Sequence, residues 1–233
     1  MHFALLLLLL VTGCATAPER SLLERALDRR GGTEKVIQAA GVVRTSHGTL
    51  RGVPCHTSSS YREPNMLRWK FQFDGIDQVV EQVFDGRSAY QENGTRKVRL
   101  GISEARIVRN KCMDESVFWM VGLADPNLTV AELGPGEYDG IPILGMRVEH
   151  RTGYSRDLFF DASTLDLLGS EGMSWTETGR RRTLVLYSDF QNVEGMRLPM
   201  RQKTLVDGEV VSEEICDSIS FEKVPPPEAF AFQ

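Results

Sequence analysis

The sequence predicts an α+β fold: a large curved antiparallel sheet (a half-open β-barrel) with a covering helix and short N-terminal helices. Many short segments of alternating polarity are separated by glycine turns, which is typical of antiparallel sheets. One longer segment, residues 103–123, has helical periodicity instead. The chain has 233 residues, is 41% hydrophobic and carries a net charge of -5, values of an ordinary globular protein without a basic field for nucleic acid.

The first residues predict a cleaved leader. Residues 3–11 are all apolar, too short for a bilayer span of roughly 20 residues but long enough for the apolar core of a signal peptide. The following Val11-Thr12-Gly13-Cys14 resembles a bacterial lipobox, which implies lipidation at Cys14 and cleavage before it. We therefore expect a signal peptide (1–13), a short tether (14–17) and a single domain (18–233). An ordinary secretory signal with an incidental cysteine, or an uncleaved anchor, is the alternative.

The expected membrane link is the acyl group rather than surface charge. Residues 1–13 contain no Asp, Glu, Lys or Arg, so the mature chain keeps its negative charge, which does not draw it onto anionic lipid. Stable anchoring takes more than one acyl chain. Ala15 follows the cysteine, where Asp would resemble an inner-membrane retention signal. The outer membrane, facing the periplasm, is therefore the expected location.

Two short helices precede the strands. Leucine and alanine form an apolar stripe within residues 18–30, and Gly31-Gly32 ends this helix. Thr33 caps a second helix that runs through Ala40 and ends at Gly41.

About ten strands follow. Residues 67–73 alternate aromatic and leucine side chains with charged and polar ones, which predicts a half-buried strand with an aromatic inner face. Asp-Gly and Glu-Gly pairs, together with Gly153, Gly169 and Gly179, mark turns. The predicted strands are 42–50, 53–61, 67–73, a run ending at 84, 129–133, 143–150, 154–160, 165–169, 183–190, 197–206 and 209–221.

The helix predicted over 103–123 interrupts the strands. Val108, Cys112, Trp119 and Leu123 form one stripe, and Asp125-Pro126 ends the helix. A sheet of this size must curl or split. If it curls partway, the helix can cover the open inner face and leave an apolar interior.

The cysteines and histidines offer little chemistry. Cys55, Cys112 and Cys216 could form one disulfide of unknown pairing, remain buried free thiols, or join His56 in a zinc site. No H-E-x-x-H, G-x-S-x-G or phosphate-loop motif occurs. We therefore expect no enzyme activity and no cofactor. A hydrolase remains an alternative, without a nucleophile–base signature to support it.

Several short sequence motifs resemble those of one protein family. They are the Gly-Gly-Thr-Glu-Lys step at 31–35, the Asp-Gly hairpin at 84–90, the Asp-x-x-Thr turn at 158–165, the Tyr-x-Asp-Phe and Gly-x-x-x-Pro step at 187–199, and the ending at 221–232. Together they resemble the LolA/LolB-like superfamily of periplasmic lipoprotein carriers. The resemblance implies a half-open β-barrel that holds acyl chains or another apolar ligand under helices, and an anchored member resembles the outer-membrane acceptor more than the soluble shuttle.

Aromatic residues and one methionine are the candidate ligand-binding groups, because such side chains adapt to acyl chains without directional hydrogen bonds. They are Trp69, Phe71, Phe73, Phe84, Phe118, Trp119, Met120, Phe160 and Trp175. A packed core without a ligand is the alternative interpretation. The expected function is a membrane-anchored, non-enzymatic carrier or binder of a lipid or of a lipoprotein acyl chain in the bacterial envelope. The alternative function is an envelope scaffold that docks a protein partner without binding lipid.

Overall fold

The computed structural model describes residues 20–38, 41–93, 96–120, 127–221 and 224–231. Within them lie the helices α1 (Leu22–Arg30), α2 (Thr33–Gln38) and α3 (Ile102–Trp119), and a 3₁₀ helix (Pro227–Phe230). The strands of the same residues are β1 (Gly41–Leu50), β2 (Val53–Arg62), β3 (Met66–Phe73), β4 (Val80–Phe84), β5 (Ala89–Asn93), β6 (Arg96–Arg99), β7 (Leu128–Tyr138), β8 (Ile141–His150), β9 (Tyr154–Asp161), β10 (Leu167–Thr176), β11 (Gly179–Val193), β12 (Met196–Val206) and β13 (Glu209–Ser220).

All these strands form one antiparallel sheet. Its order is β6-β5-β4-β3-β2-β1-β13-β12-β11-β10-β9-β8-β7, so β1 pairs with β13 and joins two meanders. The sheet curves but does not close, because β6 and β7 remain its two edges. The predicted half-open barrel is confirmed. Within the described residues, no helix is both long enough and apolar enough to span a bilayer.

The N-terminal helices form where the sequence predicts them. Ser21 caps α1, and its hydroxyl and backbone N–H form a reciprocal capping box with Glu24. Leu22 and Ala26 are buried against the sheet. The end predicted for the second helix needs a correction: Gly41 is the first residue of β1, and a Cβ there would lie 2.6 Å from the Tyr61 carbonyl oxygen.

Helix α3 covers the inner face of the sheet. It contacts β2, β4 and β5 on one half of the sheet and β10 on the other. Val108, Cys112 and Trp119 of its predicted apolar stripe are buried in the main core. The helix ends at Trp119 and Met120 has a left-handed backbone, whereas the last residues predicted for this helix lie outside the described part of the chain.

The predicted arrangement of strands and turns was wrong in two places. The sequence analysis missed β5 and β6, which are short and mostly polar, and whose backbone groups are satisfied by pairing with β4 and with each other. Gly169 does not form a turn; it lies inside β10, opposite Leu186 of β11. A Cβ at this position would lie 2.7 Å from the Val185 carbonyl oxygen, so glycine is required there for close approach rather than for a turn.

Candidate functional site

An aromatic stripe runs along the inner face of β3. Ring centroids are 4.8 Å apart for Trp69 and Phe71, and 5.8 Å apart for Phe71 and Phe73. All three side chains are half-buried, whereas Leu67, at the core end of the same face, is fully buried. The stripe therefore begins at the packed core and leaves it, so that part of its aromatic surface is open.

The other candidates occupy different positions. Phe84 is opposite Leu67, and it is buried in the same core as Phe118, Trp119, Met120 and Phe160. Three cavities border this core, and each holds only about 10 Å³, roughly enough for one water molecule. These five side chains therefore fill the interior under the C-terminal half of α3.

Trp175 does not continue the stripe. It is half-buried near the tip of the β10–β11 hairpin, and the guanidinium of Arg106 lies 5.1 Å from its ring centroid. Ser174, the preceding residue, contacts Arg156 on the inner face. Trp175 therefore lies near the hairpin tip, against Arg106 of α3 and away from the stripe on β3.

Two ion pairs fix α3 to the sheet. Arg44 of β1 donates to Glu115, with Nη2 3.1 Å from Oε1. Burial acts to lower the pKa of Arg44, but the Glu115 carboxylate, together with Glu214 and other nearby acidic groups, outweighs burial and the pKa is raised. On the other side, Nε of the buried Arg156 in β9 lies 2.9 Å from Asp114 Oδ1. Neighbouring carboxylates on one helix thus bind opposite halves of the sheet.

Aromatic groups complete these two contacts. The Trp119 indole N–H donates to Glu115 Oε2 at 2.9 Å, and the Tyr154 hydroxyl donates to Asp114 Oδ1 at 2.8 Å. Burial, with the nearby Asp114 charge, raises the pKa of Tyr154 well above its usual value, so the phenol remains a donor. The role of Trp119 in the structure is therefore to orient Glu115 within a packed core.

A row of cross-strand neighbours crosses the inner face and joins two polar side chains to the first ring of the stripe. Arg44, Ser59 and Trp69 are cross-strand neighbours on β1, β2 and β3. Ser59 is only 3% exposed, and its hydroxyl has no hydrogen-bond partner among the described residues. Lys111 of α3 places Nζ 3.9 Å from the Trp69 ring centroid.

Sequence reasoning missed Lys111, Ser59 and Arg44. A single lysine in a helix and a serine in a polar run look like surface residues. A usable signal was the position of Arg44 two residues after Val42, on the same face of the first strand, because an arginine on a buried face requires a partner.

The cysteines considered for a disulfide or a zinc site are not linked to one another. Cys55, Cys112 and Cys216 are free thiols on β2, α3 and β13, so the structure contains no disulfide among them. Burial raises the pKa of Cys112 well above its usual value, which makes this thiol unreactive. The part of the chain that is described holds no cluster of His, Cys, Asp and Glu able to bind a metal. Cys14 lies outside the described residues.

A groove of about 490 Å³ crosses β1, β11, β12 and β13, and the inward-facing Tyr187, Gln202 and Glu214 are among its lining residues. Arg201 and Lys203 flank the inward-facing Gln202, and they line the groove together with Leu186 and Ile215. Lys203 pairs with Glu213 at 2.6 Å. The lining of this groove is therefore mixed in charge.

Comparison with solved structures defines the fold class. No protein-family model matches the sequence, and no curated protein is significantly similar. A domain from Vibrio parahaemolyticus named for outer membrane lipoprotein sorting superposes with a TM-score of 0.55 at 10% identity, covering 90% of this chain and 94% of that one. A DUF1329 family protein from Desulfovibrio piger gives 0.56 at 11% identity, with 91% and 98% covered. A LolA superfamily protein from Nitrosomonas europaea gives 0.52 at 14% identity, with 85% and 97% covered.

These likenesses extend over nearly the whole of each compared chain. The protein therefore has a LolA-like fold, as its resemblance to that superfamily implies. At such low identity the comparison defines the architecture, and the assignment of function depends on the site itself.

Proposed function

We propose that the protein is a lipid-anchored, non-enzymatic carrier or binder of a lipid, or of a lipoprotein acyl chain, in the bacterial envelope. The observation that carries the proposal is the stripe of Trp69, Phe71 and Phe73, which leaves a filled core and keeps part of its surface open on the inner face of a half-open barrel. Such a surface gains free energy when an acyl chain covers it, at roughly 25 cal/mol per Å² of apolar area buried.

The stripe is the entry point to the core because the core under α3 is closed. Phe118, Trp119 and Phe160 border cavities of about 10 Å³, far smaller than an acyl chain. A chain reaches them only if α3 moves, which requires the pairs that join Glu115 to Arg44 and Asp114 to Arg156 to separate. The first contact of the ligand is therefore with β3.

Two further lines of support come from outside the site. The names of two structures with the same fold refer to lipoprotein sorting and to the LolA superfamily. The lipobox-like segment ending at Cys14 supplies the anchor, and an acylated Cys14 would hold the half-open barrel at the outer membrane on its periplasmic side.

Native mass spectrometry of gently purified full-length protein tests this proposal. We expect co-purified lipid on the wild type and a reduced lipid-bound fraction on the Phe71→Ala/Phe73→Ala variant. The control is Phe159→Ala, which removes a half-buried ring from β9 whose partner is Tyr138, 5.9 Å away, instead of the stripe. Wild-type protein that carries no lipid and takes up none when lipid is supplied would overturn the proposal.

The groove across β1, β11, β12 and β13 favours the second candidate, an envelope scaffold that docks a protein partner. Its volume of about 490 Å³, the exposed Arg201 and the ion pair of Lys203 with Glu213 suit a polar protein surface. Cross-linking in cells distinguishes the two functions. A partner lost with Lys203→Glu and retained with Phe71→Ala/Phe73→Ala supports the scaffold.

A further inference from the structure

We infer that the inner-face site takes an amphiphile with an anionic head group, which Lys111 and Ser59 bind while the apolar chain lies along Trp69, Phe71 and Phe73. The shared chemistry is a carboxylate or phosphate oxygen carrying negative charge. This inference rests on the proposed function and adds the class of ligand.

Lys111 provides the charge. Its ammonium lies over the Trp69 ring at 3.9 Å, facing the inner surface of the sheet, and the side chain is half-buried. It forms no ion pair with a carboxylate of the described residues, unlike Arg44 and Arg156 on the same inner face. A partly desolvated cation without a counter-ion attracts an anion more strongly than a solvated one does.

Ser59 provides a hydrogen-bond donor next to this charge. Its Oγ is buried and unpartnered, and it shares the inner face with Trp69 as its direct cross-strand neighbour. Leaving a buried hydroxyl unpaired costs stability. A ligand oxygen placed between Lys111 and Ser59 would satisfy both groups.

The nearby carboxylates leave this position open. Glu115 accepts from Arg44 and Trp119, and Glu214 accepts from Thr57 at 3.3 Å. Both acids therefore have partners of their own, and Arg44 offsets part of their charge. From the position beside Trp69, the stripe continues through two further rings, so a single amphiphile can contact the cation and the aromatic surface together.

Binding of three defined probes tests the inference. Full-length protein in a neutral maltoside detergent is titrated with oleate, with dioleoylphosphatidylglycerol and with uncharged oleyl alcohol, and bound probe is counted by native mass spectrometry. We expect Lys111→Gln to weaken binding of the anionic probes about tenfold, the loss of one charged hydrogen bond, and to leave oleyl alcohol unaffected. An effect confined to oleate identifies a carboxylate, and one confined to the phospholipid identifies a phosphate.

Matched variants separate the charge from the fold. Lys70→Gln removes the same charge from the opposite face of β3, where Lys70 pairs with Glu81 at 3.1 Å, and should leave all three probes unaffected. Lys111→Arg keeps the positive charge and should bind the anionic probes as the wild type does. Ser59→Ala should weaken anionic binding while the melting temperature of the free protein stays the same or rises, because the hydroxyl has no partner to lose.

The outcomes are distinguishable. If wild-type protein binds all three probes and Lys111→Gln changes none of them, or changes all equally, the inference is overturned and the proposed function stands. If wild-type protein binds none, the proposed function fails and the inference fails with it. A lower melting temperature for Ser59→Ala would contradict the assignment of its hydroxyl to a ligand.

Discussion

Arg44 on β1 and Glu115 on α3 form a buried ion pair, with 3.1 Å between Nη2 and Oε1. Both side chains are about nine-tenths shielded from solvent, and Arg44 also lies 5.9 Å from the Phe118 ring centroid. The pair joins the middle of the sheet to the covering helix. It therefore links the stability of the fold to the position of α3 over the inner face.

Glu115→Leu should destabilise the protein by about 3 kcal/mol, because it leaves the Arg44 guanidinium buried without its counter-ion. Urea unfolding followed by circular dichroism measures the change. The double variant Arg44→Met/Glu115→Leu should recover much of this loss, since replacing a buried ion pair with apolar side chains is often neutral. A double variant less stable than either single one would contradict this assignment.

Asp166 should make stability depend on pH. Burial acts to raise its pKa, but hydrogen bonds from Arg197 and Arg29 outweigh this and hold the pKa below its usual value. Because the folded pKa is lowered, the stabilisation is complete above the unfolded pKa of about 3.9 and is lost as the pH falls through the lower folded value. The unfolding free energies of wild type and Asp166→Asn should therefore converge below about pH 4. A difference independent of pH would count against these ion pairs.

Substitutions along the inner face should affect lipid binding and protein stability to different degrees. Phe160→Ala empties a buried site and should cost about 3–5 kcal/mol. Phe71→Ala, in the half-buried stripe, should cost roughly 1 kcal/mol and yet lower the affinity for lipid. Thermal unfolding and native mass spectrometry on the same two variants measure both effects. Equal losses of stability would mean that Phe71 is part of the core.

The three thiols should be free. Labelling with iodoacetamide in denaturant without reductant should modify Cys55, Cys112 and Cys216. In the native state Cys112 should react slowest, because burial raises its pKa furthest above the usual value. Detection of a linked pair among the three in unreduced protein would contradict the structure.

Much of the fold could be predicted from periodicity. The alternation in residues 67–73 correctly placed three aromatic side chains on one face, since strand geometry alone decides this. The short polar strands β5 and β6 could not be predicted, because their neighbours in the sheet stabilise them rather than their own pattern. Gly169 was assigned to a turn, and only the packing of β9 and β11 against it shows why a glycine stands in a strand.

The site was less predictable than the fold. Alternation tells which face of the sheet a side chain occupies, but not whether that part of the face is packed or open. The sequence therefore could not distinguish the buried Phe84 and Phe160 from the half-buried Phe71. The position of Lys111 over Trp69 depends on where α3 crosses the sheet. That crossing is fixed by tertiary ion pairs, which leave no periodic signal in the sequence.

Quenching of Trp69 by a brominated acyl chain tests the central claim most directly. The variant Trp119→Phe/Trp175→Phe leaves Trp69 as the single tryptophan of the chain. The account predicts that a bromine-labelled fatty acid quenches its fluorescence and that the unlabelled fatty acid does not. If native mass spectrometry shows the labelled chain bound while Trp69 remains unquenched, the ligand lies elsewhere and the account of the inner-face site is wrong.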